Sequence, residues 1–384
     1  MNLFKENPKI KNYSKIKINL LFLENFLKNL IYFLLIFVNF FTLKRKKNIL
    51  DLGIYNDTRF INFLFYSIKK NFLLSYDLNL KIISLIRKIG PINFLLYCIP
   101  NFRINNKNLK FKFVLDNKRR VGNSIYFNVD YFSHIEILKK NATNIVMPYY
   151  LYPRIYNKKY DSLKNLYNQA KIFKIIFSGS THEEWYSQFQ WKHFDQSKML
   201  NRNEIINFVI QEFNTEIFYI KSKKDFKEAK KSQKKIILLL NDKLVKKTSS
   251  RLSNFDHLKF VAQSNFFITA PGTGMPLCHH LVESIKFGTI PISSYSDLLY
   301  PTLDESLCIK FQTLHELYSA IERAILMSNE EIFEKKKNLI HFYNKNLSPE
   351  SFYQKLSQAN FTKEVIACND HNSASLYLQK NKFF

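Results

Sequence analysis

Short apolar runs alternate along the chain with longer stretches in which apolar residues recur every three or four positions. Asn48–Tyr55 (NILDLGIY) has the character of a buried strand. Polar Asn56–Arg59 follows, then an apolar-rich helical segment at Phe60–Ile68. Further strands are predicted at Phe72–Tyr76, Phe111–Leu115, Ile125–Val129 and Ile145–Pro148, with a helix at Leu80–Ile89. A second series opens at Ile172–Phe177 (IFKIIF), which runs into the small-residue turn Ser178–Thr181. It continues through a helix at Asn203–Glu212, a strand at Glu216–Ile220, a Lys-laden surface segment at Lys221–Lys235 and a buried strand at Ile236–Leu240. Leu258–Ser264 is a short helix or turn, and Phe266–Thr269 a strand. Pro276–Phe287 is predicted helical, with Leu277, Leu281 and Ile285 on one face and Gly288 as a left-handed cap. The strands Thr289–Ile292 and Leu307–Phe311 and the helices Leu314–Ser328 and Glu330–Tyr343 complete the series.

Strands alternating with helices in both halves imply parallel sheets with crossover helices. The expected fold is α/β, with two Rossmann-like domains facing a cleft. Residues 1–47 form an apolar and basic N-terminal segment, 48–160 the first domain, 165–345 the second, and 346–384 a helical tail crossing back to the first domain. Ligands in such sheets bind outside the carboxyl ends of the strands. The loops Asn56–Arg59, Asp130–His134, Ser178–Thr181, Pro271–Gly274 and Ser293–Asp297 are therefore the candidate walls of a site.

Composition adds a charge problem. The 384 residues are 46% hydrophobic, enough for real cores, yet carry a net charge of +27. Nucleic acid, an anionic membrane surface and a compositional bias of the source each account for it. Nucleic acid is the weakest of the three. The basic runs Lys44–Lys47 and Lys221–Lys235 are mainly Lys, whereas Arg is the bidentate reader of bases and phosphates. The aromatics also fall inside apolar runs and do not alternate with basic residues. Four scattered cysteines give neither a disulfide scaffold nor a metal-ligand pattern, which points to a reducing, cytoplasmic setting. Leu30–Phe41 is apolar but short of the roughly 20 residues a spanning helix needs. It is either a buried helix or one lying on a membrane beside Lys44–Lys47.

The richest stretch in chemistry is Gly272–Glu283. Gly272, Thr273 and Gly274 precede a helix whose free N–H groups and dipole suit a diphosphate. A helix starting near Met275 or Pro276 places proline in its first turn, where its missing N–H is not needed. The loop is neither a Walker A sequence nor a dinucleotide fingerprint, and a plain tight turn is the competing reading. Glu283 lies off the apolar stripe, with His279 and His280 one turn before it. It is either a ligand to sugar hydroxyls or a solvated helix residue.

Phe267–Ser293, FITAPGTGMPLCHHLVESIKFGTIPIS, resembles the donor-binding segment of GT-B glycosyltransferases, most of all the exostosin-like group. His280 stands where that family usually has Arg, Glu283-Ser284 for Glu-Ala, and Gly288–Ile292 for the closing glycine and strand. A looser match takes in Ile175–Gly179 and Arg202. The resemblance implies a second domain that binds a nucleotide-sugar, with Glu283 on a ribose and with Gly179, Arg202, Gly272, Thr273, Gly274 and His280 towards the diphosphate. It implies transfer without a metal or other cofactor, in keeping with the lack of an Asp-x-Asp motif. The acceptor expected is a glycan or a lipid-linked glycan such as a lipopolysaccharide core, met at the cytoplasmic face of an anionic membrane. Inverting transfer needs one general base on the acceptor side. Asp130, Asp57 and His134 are the candidates, each also a plausible cap or turn former. Arg59, Arg154, His182, Glu183, Trp185 and Tyr186 are further cleft candidates. The alternatives are a basic nucleic-acid-binding protein and a catalytically inactive GT-B-like scaffold at a membrane surface.

Overall fold

The computed structural model describes residues 23–31, 34, 48–51, 63, 66–67, 73–76, 98–100, 111–114, 124–128, 131–132, 145–152, 155–156, 160–182, 199–222, 224–240, 252–272, 275–358 and 365–367. The chain divides into two compact units: Met1–Thr58 with Ile68–Tyr126, and Arg59–Ser67 with Phe127–Phe384.

The first sheet contains β1 (Asn48–Asp51), β2 (Leu73–Tyr76), β3 (Cys98–Pro100), β4 (Phe111–Val114), β5 (Ser124–Asn128) and β6 (Ile145–Met147). Its order is β3-β2-β1-β4-β5, then the late strand Val365–Ala367, then β6. Every pairing is parallel. Except for the inserted strand, this is the Rossmann order 3-2-1-4-5-6.

The second sheet contains β7 (Phe173–Gly179), β8 (Ile217–Tyr219), β9 (Ile236–Leu240), β10 (Ser264–Thr269), β11 (Ile290–Ser293) and β12 (Ile309–Lys310), in the order β12-β11-β10-β7-β9-β8. It too is parallel throughout. Central strands of such a sheet are covered on both faces. That is why β9 reads as an unbroken apolar run, with Ile236, Ile237, Leu238 and Leu239 all buried. From β7 the chain crosses to the edge strand β8 and returns to β9 beside β7, then passes to β10 on the other side and builds outward to β11 and β12. The direction of winding reverses between β7 and β10.

The helices of the second unit are α1 (Arg202–Glu212), α2 (Asp225–Lys231), α3 (Asn254–Ala262), α4 (His279–Lys286), α5 (Leu314–Leu326), α6 (Asn329–Phe342) and α7 (Pro349–Ser357). The starts of α1, α3, α5, α6 and α7 are set by side chains that satisfy free N–H groups. Asn201 and Glu204 form a reciprocal capping box on α1. Ser253 caps α3, accepting from Asp256 N–H at 3.1 Å. The end of α4 is a Schellman turn: Thr289 N–H bonds Ser284 O at 2.9 Å, and Gly288 N–H bonds Ile285 O at 3.1 Å. Gly288 has φ of 60°, as its sequence position predicts.

Four expectations change. The helix expected from Pro276 begins at His279. Gly272 N–H donates to Pro276 O at 3.2 Å, closing the loop on itself, and Cys278 is extended with φ −126° and ψ 141°. Leu277 therefore reaches the core from the loop, where its carbonyl accepts from Tyr149 OH at 3.2 Å. Second, α3 starts four residues earlier than the apolar pattern indicates, because Ser253 caps it. Third, the Lys-laden segment contains α2. Fourth, the tail is not helical alone. After α7 it supplies β13 (Val365–Ala367), which fits between β5 and β6. Among the described residues no helix is long and apolar enough to cross a membrane. Residues 23–31 are helical, with Leu23, Phe26, Leu27, Leu30 and Ile31 exposed; most of Leu30–Phe41 and all of Lys44–Lys47 lie outside the described residues.

Candidate functional site

Ser178 and Gly179 end β7, next to the end of β10 where the sheet changes direction. Arg202, the first residue of α1, ties the two strand ends together. Its Nη1 donates to Ser180 O at 3.1 Å, Nε to Pro271 O at 3.1 Å and Nη2 to Ala270 O at 3.3 Å. The planar fork of a guanidinium suits three carbonyls in this way. Arg202 is 4% exposed, so it leaves a fixed, buried positive charge at the carboxyl ends of the strands.

A cavity of about 230 Å³ opens beside it, lined by Gly179, Ser180 and Arg202, by His257 of α3 and by His279, His280 and Glu283 of α4. Glu283 is 1% exposed. It is not a solvated helix residue. Its Oε2 lies 3.2 Å from His257 Nε2, and its Oε1 accepts from Tyr152 N–H at 3.4 Å. On its other side the His257 ring has Nδ1 3.2 Å from Ser178 Oγ. An ionised carboxylate only accepts, so His257 donates to it from Nε2. The ring of His280 sits 5.2 Å from that of His257 and 4.7 Å from that of His279.

The electrostatics follow from burial and crowding. Burial raises the Glu283 carboxyl, but His279, the bond from His257 and the nearby His280 outweigh it and hold the group down at about 2. It is an anion at neutral pH. Burial pushes His280 down to about 3 against the pull of Glu283, with His257 and Arg202 adding to the push. His280 is therefore a neutral imidazole at neutral pH. Two buried polar atoms around the cavity have no hydrogen-bond partner, Ser180 Oγ and His280 Nδ1. Buried polar atoms normally find partners, and exceptions mark places where something else binds.

The two described glycines of the expected site have different reasons for being glycine. A Cβ on Gly179 would lie 3.1 Å from Phe177 Cζ and 3.5 Å from both Arg202 Nη1 and His280 Cε1, so the missing side chain keeps the cavity wall open. A Cβ on Gly272 would lie 2.7 Å from Met275 O. Gly272 is required by the closure of its own loop, a role independent of any ligand.

Of the residues expected at a donor site, Gly179, Arg202, His280 and Glu283 come together at this cavity. Gly272 stands at the loop behind Arg202. Thr273, Gly274, Asp57, Asp130 and His134 lie outside the described residues, as do Arg59, Arg154, Glu183, Trp185 and Tyr186. His182 is partly exposed just beyond Ser180. The residue that sequence reasoning passed over is His257. Its signal was the Ser253–Asp256 cap, which places it in the first turn of a helix leading into β10. Among the described residues two sets of side chains bring potential metal-ligand atoms within 4.8 Å of one another: Cys278, His279 and His280, and His257, His280 and Glu283.

No protein-family model matches the chain, and no curated protein does. Solved structures do match. Anabaena HepE in complex with UDP is 8% identical, over 81% of this chain and 98% of that one, with a TM-score of 0.41. S. aureus MnaA with UDP is 11% identical, over 82% and 95%, with a TM-score of 0.34. The E. coli trehalose-6-phosphate structure with bound UDP-2-fluoro glucose is 10% identical, over 85% and 76%, with a TM-score of 0.33. Identities and scores this low assign no function, so the functional reading rests on the site itself.

Proposed function

We propose that the protein is a glycosyltransferase of the GT-B kind, and that the cavity of its second unit takes part of a nucleotide-sugar donor. The observation that carries this reading is the cavity's place: outside the carboxyl ends of β7 and β10, where the winding of a parallel sheet reverses. That is where open α/β sheets bind nucleotides. At about 230 Å³ it is smaller than the roughly 300–1,000 Å³ of a full ligand pocket. It suits the ribose–phosphate portion of the donor. Glu283 has lone pairs beyond the two bonds it accepts, and these would take ribose hydroxyls. Ser180 Oγ and His280 Nδ1 would find partners on the phosphate side, next to the fixed charge of Arg202.

The acceptor in this reading is the hydroxyl of a glycan or lipid-linked glycan, deprotonated by Asp130, Asp57 or His134, with inversion at the sugar carbon. The kinship to exostosin-like enzymes belongs to the same proposal and rests on the Phe267–Ser293 motif. An anionic membrane surface is the proposed setting, supported by the net charge of +27 and the exposed apolar residues of the helix at 23–31. The test of the donor site is a thermal-shift panel of UDP-, GDP-, CMP- and ADP-sugars, run with a chelator present, on the wild type and on Glu283→Ala. One sugar nucleotide should stabilise the wild type and not the variant. If none stabilises the wild type, or the variant responds equally, the donor site is wrong.

A further inference from the structure

We propose that His257, His280 and Glu283 form a binding site for a divalent transition-metal ion of the zinc class. Their donor atoms lie within 4.8 Å of one another. The 3.2 Å between His257 Nε2 and Glu283 Oε2 is close to the separation of about 3.3 Å that two ligands have when bonded at 2.0–2.1 Å to a tetrahedral ion. His280 and Glu283 are three residues apart on α4 and so share a face, while α3 brings His257 to them. Two neutral imidazoles and one carboxylate make a common three-ligand set for zinc, with the fourth position left to water. All three residues line the cavity, which would supply that water.

Supporting groups are already in place behind the ligands. Metal-bound histidines usually hold their second nitrogen on another group, and His257 holds Nδ1 on the Ser178 hydroxyl. A hydroxyl can donate or accept. On binding, His257 would surrender the proton on Nε2 and take the Nδ1–H tautomer, donating to Ser178 Oγ. The free oxygen of Glu283 stays on Tyr152 N–H. The sign that something binds here is His280 Nδ1, buried and without a partner, the same atom that the donor reading turns towards the phosphate, so an ion and the donor would compete for it. The site is one of binding, and no part of the sugar-transfer reading depends on it. The neighbouring set of Cys278, His279 and His280 uses three consecutive residues, and its Cys278 sulfur accepts from Arg202 Nη2 at 3.8 Å, a cation beside a would-be thiolate ligand.

The test is competitive titration of the chelator-stripped full-length protein with Zn²⁺ against a chromophoric chelator, without any nucleotide. We expect one ion per chain, held at sub-micromolar concentration. His257→Gln and His280→Gln should each weaken it at least tenfold, and Cys278→Ser should leave it unchanged. Cobalt substituted for zinc should give the visible bands of a four-coordinate nitrogen and oxygen site, without a thiolate charge-transfer band. That wild-type spectrum needs no variant to fold. Absence of a stoichiometric site at micromolar zinc overturns the proposal. So does unchanged affinity in a folded His257→Gln protein, or a thiolate band with cobalt. Because the donor panel is run with chelator, failure of either idea leaves the other readable.

Discussion

At the residue scale, the site is held by two buried charges of opposite sign with different partners. Glu283 is satisfied by His257 and by Tyr152 N–H, and Arg202 by three carbonyls. Glu283→Ala leaves two donors facing a void, and a buried donor without an acceptor costs about 1–3 kcal/mol. Chemical denaturation should show a loss of that size, with Glu283→Gln milder because its amide oxygen still accepts one of the bonds. Arg202→Lys keeps the charge but loses the fork. It should destabilise by about 2 kcal/mol or more, since a single ammonium cannot reach both strand ends. A melting temperature unchanged from wild type would show that the carbonyl clamp is dispensable. Glu283 was visible in the sequence by its place off the apolar stripe. Its burial was not, because only the approach of α3 and Tyr152 encloses it.

At the scale of elements, the sequence shows most plainly those features that neighbours in the chain determine. The β9 run and the β7 run with its small-residue end appear where the pattern puts them, and so does the Gly288 stop of α4. Each is fixed by neighbours in sequence. The start of α4 was not, because a contact inside the preceding loop, Gly272 N–H to Pro276 O, delays the helix to His279. The strand at Val365–Ala367 was missed for a related reason: three residues carry no period, and their partners lie far away in β5 and β6. Gly288→Ala tests the α4 stop. Its φ of 60° disfavours any side chain, and a Cβ would lie 2.5 Å from Lys336 Cγ and 2.9 Å from Lys336 O. The loss should exceed about 1 kcal/mol. Ser253→Ala should cost about 1 kcal/mol by loosening the first turn of α3. Because that turn carries His257, the same variant should also weaken ligand binding at the cavity, measurable by titration.

At the scale of the whole molecule, Lys286 is a test of how burial couples to pH. Its ammonium lies 4.3 Å from the Tyr343 ring centroid and 4.4 Å from that of Tyr160, and it donates to Tyr167 OH at 2.9 Å. Burial lowers it from 10.5 to about 7, with Glu350 pulling the other way and Lys164 adding to the lowering. A depressed folded value means that the folded state binds fewer protons than the unfolded one. The stability contributed is therefore greatest at high pH and falls as pH drops towards 7. Between pH 9.5 and 7 the wild type should lose stability relative to Lys286→Met, as read by urea denaturation at each pH. A constant difference across that range would contradict the assignment. The net charge of +27 gives a second expectation at this scale: co-sedimentation with anionic vesicles that weakens as salt is raised.

The central claim is that the cavity at the end of β7 receives the donor, and Gly179 tests it most directly. Gly179→Val would place a side chain against Arg202 and His280 in the cavity wall while leaving Glu283 and its bonds intact. Calorimetric titration of the best sugar nucleotide from the panel into a folded Gly179→Val protein should show affinity at least tenfold weaker than wild type. Wild-type affinity in that variant would contradict the account, because the donor would then bind elsewhere.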